Sequence, residues 1–363
     1  MNDSCEYPIS SIAEVMFGNF IKYDRMYQLT NFAFYGDVES LGSVNVFIDA
    51  YSLVRSLYTR GSNIIVKDSF AIASCLINLA IHIRSYFETR HRVRSKIYII
   101  YGGARPLNAL KIHNQYNKKN MLMEDSNALM KKLIMDNMDV VTILSPYLYD
   151  IFCISDPCNE FSVIASCIIK NKSDSDPNII YSKDQMAYQL AAFHPRTVMY
   201  RPKKSLREDI SWVVTKSNIY DTYRYNELKI AKKIDSSLSP FMFSLYQAFS
   251  GLRSRNIPSI KNANRSILIL EDAVNRSLFT NGYNSNSILY LNSPALDDLF
   301  EGKLQEIRTR VAAIDIIYQE AIYESSPASR IIANSIINLY NPEEVRKIND
   351  IYFQSYPIDL NRL

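Results

Sequence analysis

Glycine is scarce: nine residues in a chain of 363. No glycine-rich phosphate loop is present, which argues against nucleotide hydrolysis. Cysteine is limited to Cys5, Cys75, Cys153, Cys158 and Cys167. The number is odd and the spacing fits no common zinc pattern, so free thiols in a reducing compartment are expected. The histidines, His82, His91, His113 and His194, show no ligand or triad spacing and are expected at the surface or as satisfied core residues. Net charge is only +4, too little to imply a nucleic-acid partner unless the basic residues cluster. No stretch approaches the roughly 18–20 continuous apolar residues of a membrane span. The N-terminus carries Asp3 and Glu6 and lacks the basic-then-apolar layout of a signal peptide. An intracellular, soluble chain with no membrane partner is expected.

What is present supports a sizeable core. The hydrophobic fraction is 47% and the charged fraction 21%, which suits one large domain or two modest ones. "VNVFID" (44–49) reads as a fully buried strand, and "AYSLVRSLY" (50–58) as the start of a helix. Ile72, Cys75, Leu76, Leu79 and Ile83 have helical spacing within 68–89. "KIYIIY" (96–101) is a second strand, "VVTIL" (140–144) a third and "NIIYS" (178–182) a fourth, with a helical stretch over 158–170. This alternation predicts a parallel sheet covered by helices, an α/β fold. "TVMYRP" (197–202) and "ISWVVT" (210–215) suit an added hairpin at the sheet edge. From about 221 a helical pattern runs on, with turn signals at "SSLSP" and "RNIPS". The expected organisation is an N-terminal extension over 1–43, an α/β domain over 44–220 and a helical region over 221–363.

Functional groups in such sheets sit where strands end. Three acids fall at βα junctions: Asp49, Glu160 and Asp184. Each alone is explained by helix capping or by the helix dipole. Their recurrence at three junctions points equally to a divalent-metal site, since hard oxygen ligands hold Mg2+ or Mn2+ and such ions activate water for phosphodiester cleavage.

At six places the chain resembles the 5′-nuclease superfamily, the flap endonucleases and phage 5′–3′ exonucleases related to PIN domains. "VNVFIDAYSLVRSLY" is similar to the opening strand and helix, with Asp49 at the metal-ligand position. "KIYIIYGGARP" resembles the second strand, where Gly102 stands in place of the family's Asp. "NQYNKKN" resembles the segment that opens the helical arch, with Tyr116, Lys118 and Lys119. "NEFSVIAS" is similar to the acidic helix start; Glu160 matches, while Ser162 and Val163 replace acids. "YSKDQM" resembles Ser-x-Asp-x-Asp; Asp184 matches and Met186 does not. The sixth, "SGLRSRNIPSIKNANRSILIL" (250–270), resembles the family's helix–turn–helix, with Leu252 and Arg255 where acids are usual. The resemblance implies a mostly parallel αβα sheet, PIN-like, with an appended C-terminal helical region containing the helix–turn–helix. It implies DNA as partner, duplex, flap or nicked, and Mg2+ or Mn2+ as cofactor in an active member. Asp49, Glu160 and Asp184 would be the catalytic and metal ligands. Tyr116, Lys118, Lys119, Arg253, Arg255, Lys261 and Arg265 would contact nucleic acid.

The departures weaken that ligand set. Loss of acids removes charge that would hold ions, and Arg255 adds a cation to the same cleft. Basic runs remain at 84–96, 201–207 and 251–265; phosphate neutralisation is one use for them, a solvated surface the other. Three functions follow: a catalytically impaired nucleic-acid-binding protein, an active 5′ nuclease with a reduced ligand set helped by Asp156, or a structural subunit of a viral replication, transcription or packaging assembly with protein partners.

Overall fold

A computed structural model describes residues 43–59, 68–102, 107–116, 121–122, 128–155, 164, 177–193, 196–201, 212–214, 243, 247–248, 251–252, 255–259, 304–314, 316, 339–355 and 357–362. Strand β1 (Ser43–Asp49) leads into α1 (Ala50–Thr59) and α2 (Ser69–His91). β2 (Arg94–Tyr101), the short α3 (Leu107–Ile112), α4 (Ala128–Leu144) and β3 (Ile151–Ser155) follow. Then come β4 (Asn178–Tyr181), α5 (Tyr188–Phe193), β5 (Thr197–Arg201) and β6 (Trp212–Val214). The described chain continues with α6 (Leu304–Ile314) and α7 (Pro342–Tyr352).

The sheet has the order β3-β2-β1-β4-β5-β6. β1 to β5 pair in parallel and β6 runs antiparallel at the edge, giving the mostly parallel α/β sheet that the alternating pattern predicts. β1, β4 and β5 are buried along nearly their whole length, because helices cover both faces of a parallel sheet. The chain steps from β1 outward to β2 and β3, then crosses back to place β4 on the other side of β1. The β1/β4 boundary is therefore a topological switch point, where a crevice opens beyond the strand ends.

The third strand is a correction. Residues 140–144 are the last turns of α4, not a strand. β-branched residues suggest a strand, but α4 buries Met130, Leu133, Ile134, Asn137, Val141 and Leu144, steps of three and four that only a helix provides. Ile143 is left exposed. The strand beside β2 is "IFCIS", after a 3-10 turn over Ser145–Tyr147.

α2 is apolar on nearly all sides and packs against β2 and α4. By length and composition its Ser69–Thr89 portion could cross a membrane, contrary to the sequence expectation, but most of it is buried inside the fold. Asp68 caps its start, accepting from Phe70 N at 2.9 Å. Arg92, in the left-handed region at φ 54°, ends it.

Much of the basic run at 84–96 is structural. Arg84 is buried, donates to Tyr149 O at 2.8 Å and lies over the Tyr149 ring. Arg94 grips Asp150 with two bonds of 2.6 and 2.8 Å. His91 bonds Tyr86 Oη at 3.1 Å and His82 meets Asp359 at 3.2 Å.

The last described segment closes over α2. Val345, Phe353 and Ile358 enter the same core cluster as β1 and α2. Asn78 on α2 donates to Pro357 O at 3.1 Å and accepts from Asp359 N at 2.7 Å. Residues 342–362 thus share the core of the α/β region.

Candidate functional site at the carboxyl edge of the sheet

Register brings Asp49 and Ser182 side by side. Ile48 pairs with Tyr181 across β1 and β4, so the next residues on each strand meet at the switch point. Asp49 is fully buried. Its Oδ1 accepts from Ser52 N at 3.0 Å, and its Oδ2 accepts from Ser52 Oγ and, at 2.6 Å, from Ser182 Oγ. Ser182 in turn accepts from Asp184 N at 3.0 Å. Ser182 Oγ therefore bridges the Asp49 carboxylate and the Asp184 backbone N–H.

Asp184 does two things. Its Oδ1 accepts from Met186 N at 2.9 Å and caps the 3-10 turn Gln185–Ala187. Its Oδ2 meets Arg255 Nη2 at 2.7 Å. That ion pair is out of water, with side chains only 3% and 11% exposed, and charge-assisted bonds of this length are the strong ones.

Arg255 comes from a tight turn. Leu252 and Ile257 form an antiparallel bridge, with bonds of 2.9 and 3.1 Å. Gly251 has φ +82°, and a Cβ there would lie 2.6 Å from Ser259 N, so both conformation and space demand glycine. Asn256 has φ 60°, which Asn tolerates better than most residues. Its Nδ2 donates to Gln115 O at 3.2 Å. Adjacent residues thus fasten the turn twice, Arg255 to the strand end and Asn256 to the 113–116 segment.

Two residues expected to face nucleic acid do not. Tyr116 is fully buried and its Oη bonds Met186 Sδ at 3.1 Å. Arg255 is 2% exposed and committed to Asp184. The position where a second acid would help most holds Met186, buried against that tyrosine. Gly102 is buried just past β2, two residues beyond Ile100, the partner of Asp49. Glu160, Asp156, Lys118, Lys119, Arg253, Lys261 and Arg265 lie outside the described residues.

Sequence reasoning missed a buried amide chain beside the site. Gln189 donates to Gln247 Oε1 at 2.7 Å, and Gln247 donates to Gln185 O at 2.9 Å. Ile316 N donates to Gln189 Oε1 at 3.0 Å. A lone glutamine carries no signal in sequence; only its burial reveals the role. On the flank, Arg310 donates to Pro258 O at 3.3 Å. Burial first, and the Arg310 charge second, hold His113 below the usual histidine range. Burial also pushes the Cys75 thiol up to about 12 and that of Cys153 up to about 11, which disfavours the thiolate at neutral pH.

The described residues at this edge do not by themselves fit a divalent ion. Mg2+ requires near-octahedral oxygen ligation at ~2.0–2.1 Å. The Asp49 carboxylate already accepts from two hydroxyls and an N–H, and Asp184 already holds an N–H and a guanidinium. Among the described residues, no group of three His, Cys, Asp or Glu side chains comes together to hold a metal.

No family model matches the sequence, and no curated protein matches it. Solved structures do. The bacteriophage T5 flap endonuclease, in a product complex with DNA and metal ions, is 13% identical, with a TM-score of 0.49 over 85% of this chain and 99% of that one. The catalytic core of Rad2 with DNA substrate is 12% identical, with a TM-score of 0.39 over 89% and 94%. Human GEN1 with Holliday junction DNA is 12% identical, with a TM-score of 0.37 over 79% and 61%. At such scores the likeness carries no inference about the site. The described sheet itself has five parallel strands, of which the first and fourth end at one edge with Asp49 and Ser182.

Proposed function

We propose that the chain is a DNA-binding protein of 5′-nuclease-like fold that grips its substrate without cutting it. The observation that carries this reading is the Arg255–Asp184 ion pair. It puts a fixed cation where a hydrolytic member of such a family would need a metal. Two-metal hydrolysis stabilises the attacking and leaving oxygens together, and a buried guanidinium committed to Asp184 activates no water. Mg2+ and Mn2+ have no step in this function.

Binding falls to the basic residues around that fixed edge. In sequence, Lys118 and Lys119 follow the buried Tyr116, Arg253 lies within 251–259, and Lys261 and Arg265 come after it. With Tyr116 anchored on Met186 and Asn256 on Gln115 O, both basic segments start from rigid points. The region around 250–270 then serves as the helix–turn–helix that holds duplex phosphates, and positive charge there supplies sequence-independent affinity.

Fluorescence anisotropy with labelled nicked and 5′-flap duplexes in EDTA tests this. Binding is expected without metal, weakening steeply with salt. Arg253→Ala with Arg265→Ala is expected to reduce the slope of log K against log salt by about 1 for each lost phosphate contact. No binding at low salt, or an unchanged slope in the double variant, would overturn the reading.

A further inference from the structure

We propose that the amino edge of the sheet carries a second nucleic-acid contact, which holds a single strand by stacking a base on Tyr340 and meeting the adjoining phosphates with Arg92 and Arg94. It lies at the other end of the strands from Asp49 and Ser182, goes beyond the duplex contact proposed above and does not depend on it.

The argument starts from the rings. Tyr340 is 45% exposed and Tyr149 36%, and the two meet edge to face with centroids 5.6 Å apart. The Arg84 and Arg94 guanidiniums lie over the Tyr149 ring at 5.5 and 5.7 Å, within cation–π range. Tyr149 is thus engaged inside the molecule, and the ring on offer is Tyr340. The backbone beside Tyr340 is fixed on both sides. Leu339 N donates to Pro146 O at 2.8 Å and Asn341 N to Tyr147 O at 3.2 Å, and the Asn341 side chain caps α7. A pinned, half-exposed aromatic ring suits a stacked base, because little ordering cost remains and every base has a π face.

The second part is charge. Arg94 begins β2 beside Ser43, the first residue of β1. Its side chain is 54% exposed, and Asp150 takes only Nε and Nη2, leaving Nη1 outside that pair. Arg92 is exposed two residues before it. The acids nearby are answered within the fold: Asp150 by Arg94, Glu88 by Arg84 at 3.6 Å and Glu344 by Lys347 at 3.4 Å. Glu343 stands in the first turn of α7, where the helix dipole offsets it. Arg92 and the open side of Arg94 therefore set the sign of this corner, and it favours phosphate.

The third part is backbone. Arg92 ends α2 in the left-handed region, at φ 54°, a place that glycine usually fills. An arginine there costs free energy that glycine would not, while its side chain stays exposed. The cost is explained if that side chain serves a partner outside the chain. The basic run at 84–96 is thus divided, with Arg84 inside the fold and Arg92 and Arg94 at the surface. Basic side chains set beside exposed aromatic rings suit a single strand, since the bases of a duplex are already stacked.

The test uses the full chain and fluorescence anisotropy with a labelled oligothymidylate in EDTA, alongside a nicked duplex without a flap. Tyr340→Ala is expected to weaken oligothymidylate binding about tenfold, the effect of one stacked base, and Tyr340→Phe to keep the native affinity. Should Tyr340→Ala melt far below the native protein, Tyr340→Leu, which keeps an apolar contact for Tyr149, takes its place with the same expected loss. Arg92→Gly suits the left-handed backbone, so its Tm is expected to equal or exceed the native value. Its slope of log K against log salt is expected to fall by about 0.7, one phosphate contact to a single strand. Binding of the nicked duplex is expected to be unchanged in every variant. The inference is overturned if the native protein does not bind oligothymidylate at low salt, if the Tyr340 truncation binds as the native does, if Tyr340→Phe loses as much as the truncation, if the slope is unchanged in Arg92→Gly, or if duplex binding falls in parallel. Tyr340-dependent binding of oligothymidylate by a protein that holds no duplex would leave this inference standing and remove the proposed function. Duplex binding that depends on Arg253 and Arg265, without Tyr340-dependent binding of the single strand, would do the opposite.

Discussion

Asp184→Ala is expected to lower the stability of the native protein by about 3–5 kcal/mol, because it strands a buried positive charge. Arg255 is 2% exposed, so water cannot replace the carboxylate without opening the Gly251–Ser259 turn. The same change also removes the cap on the Gln185–Ala187 turn, worth about 1 kcal/mol in an ordinary helix. Adding Arg255→Met removes the stranded charge, and the double variant is expected to recover most of the loss, since apolar replacement of a whole buried pair is often close to neutral. Urea melts of the native protein, both single variants and the double variant give the coupling directly. Additive losses, with no recovery in the double variant, would show that the pair is not the group holding this edge together.

The second large effect is expected far from the site. Phe353→Ala should cost about 3–5 kcal/mol, the range for truncating a buried aromatic. Phe353 is 1% exposed and meets Phe70 edge-on, with ring centroids 5.7 Å apart. Its loss loosens a segment also anchored by Val345, Ile358, the Tyr352 ring stacked on Phe70, the Asn349 Oδ1 bond to Ile358 N at 2.7 Å, the Asn78 bridge to Asp359 and the His82–Asp359 pair. Hydrogen exchange should therefore rise in α7 and along the α2 face beneath it, while the β1/β4 edge stays protected. Uniform acceleration across the sheet would mean that the segment is not a separable cover.

The parts legible in the sequence are those where one local signal suffices. β1 and β4 are apolar runs ending at Asp49 and Ser182 and β2 is one ending at Gly102, and their burial on both faces is what such runs specify. The positions of Asp49 and Asp184 at strand ends could be read the same way. At the end of α4, strand propensity at Val140–Leu144 and helical periodicity disagree. Packing against α2 decides for the helix, as tertiary context commonly does. What could not be read is what depends on distant partners. Arg255 meets an acid 71 positions away, and nothing local marks it as buried rather than free for phosphate. Tyr116 sits in a polar, basic segment whose composition suggests the surface, yet its hydroxyl reaches Met186, 70 positions on. Both corrections have one cause: distant partners at the strand edge, Asp184 for Arg255 and Met186 for Tyr116, take up side chains whose local sequence points to the surface.

The most direct test is a cleavage assay on 5′-flap and nicked duplexes with Mg2+ or Mn2+ at concentrations that saturate known metal-dependent nucleases. With Arg255 paired to Asp184 and Met186 buried under Tyr116, the native protein is expected to bind these substrates and leave them intact over long incubation. Metal-dependent cleavage by the native protein that Asp49→Ala or Asp184→Ala abolishes would contradict the account.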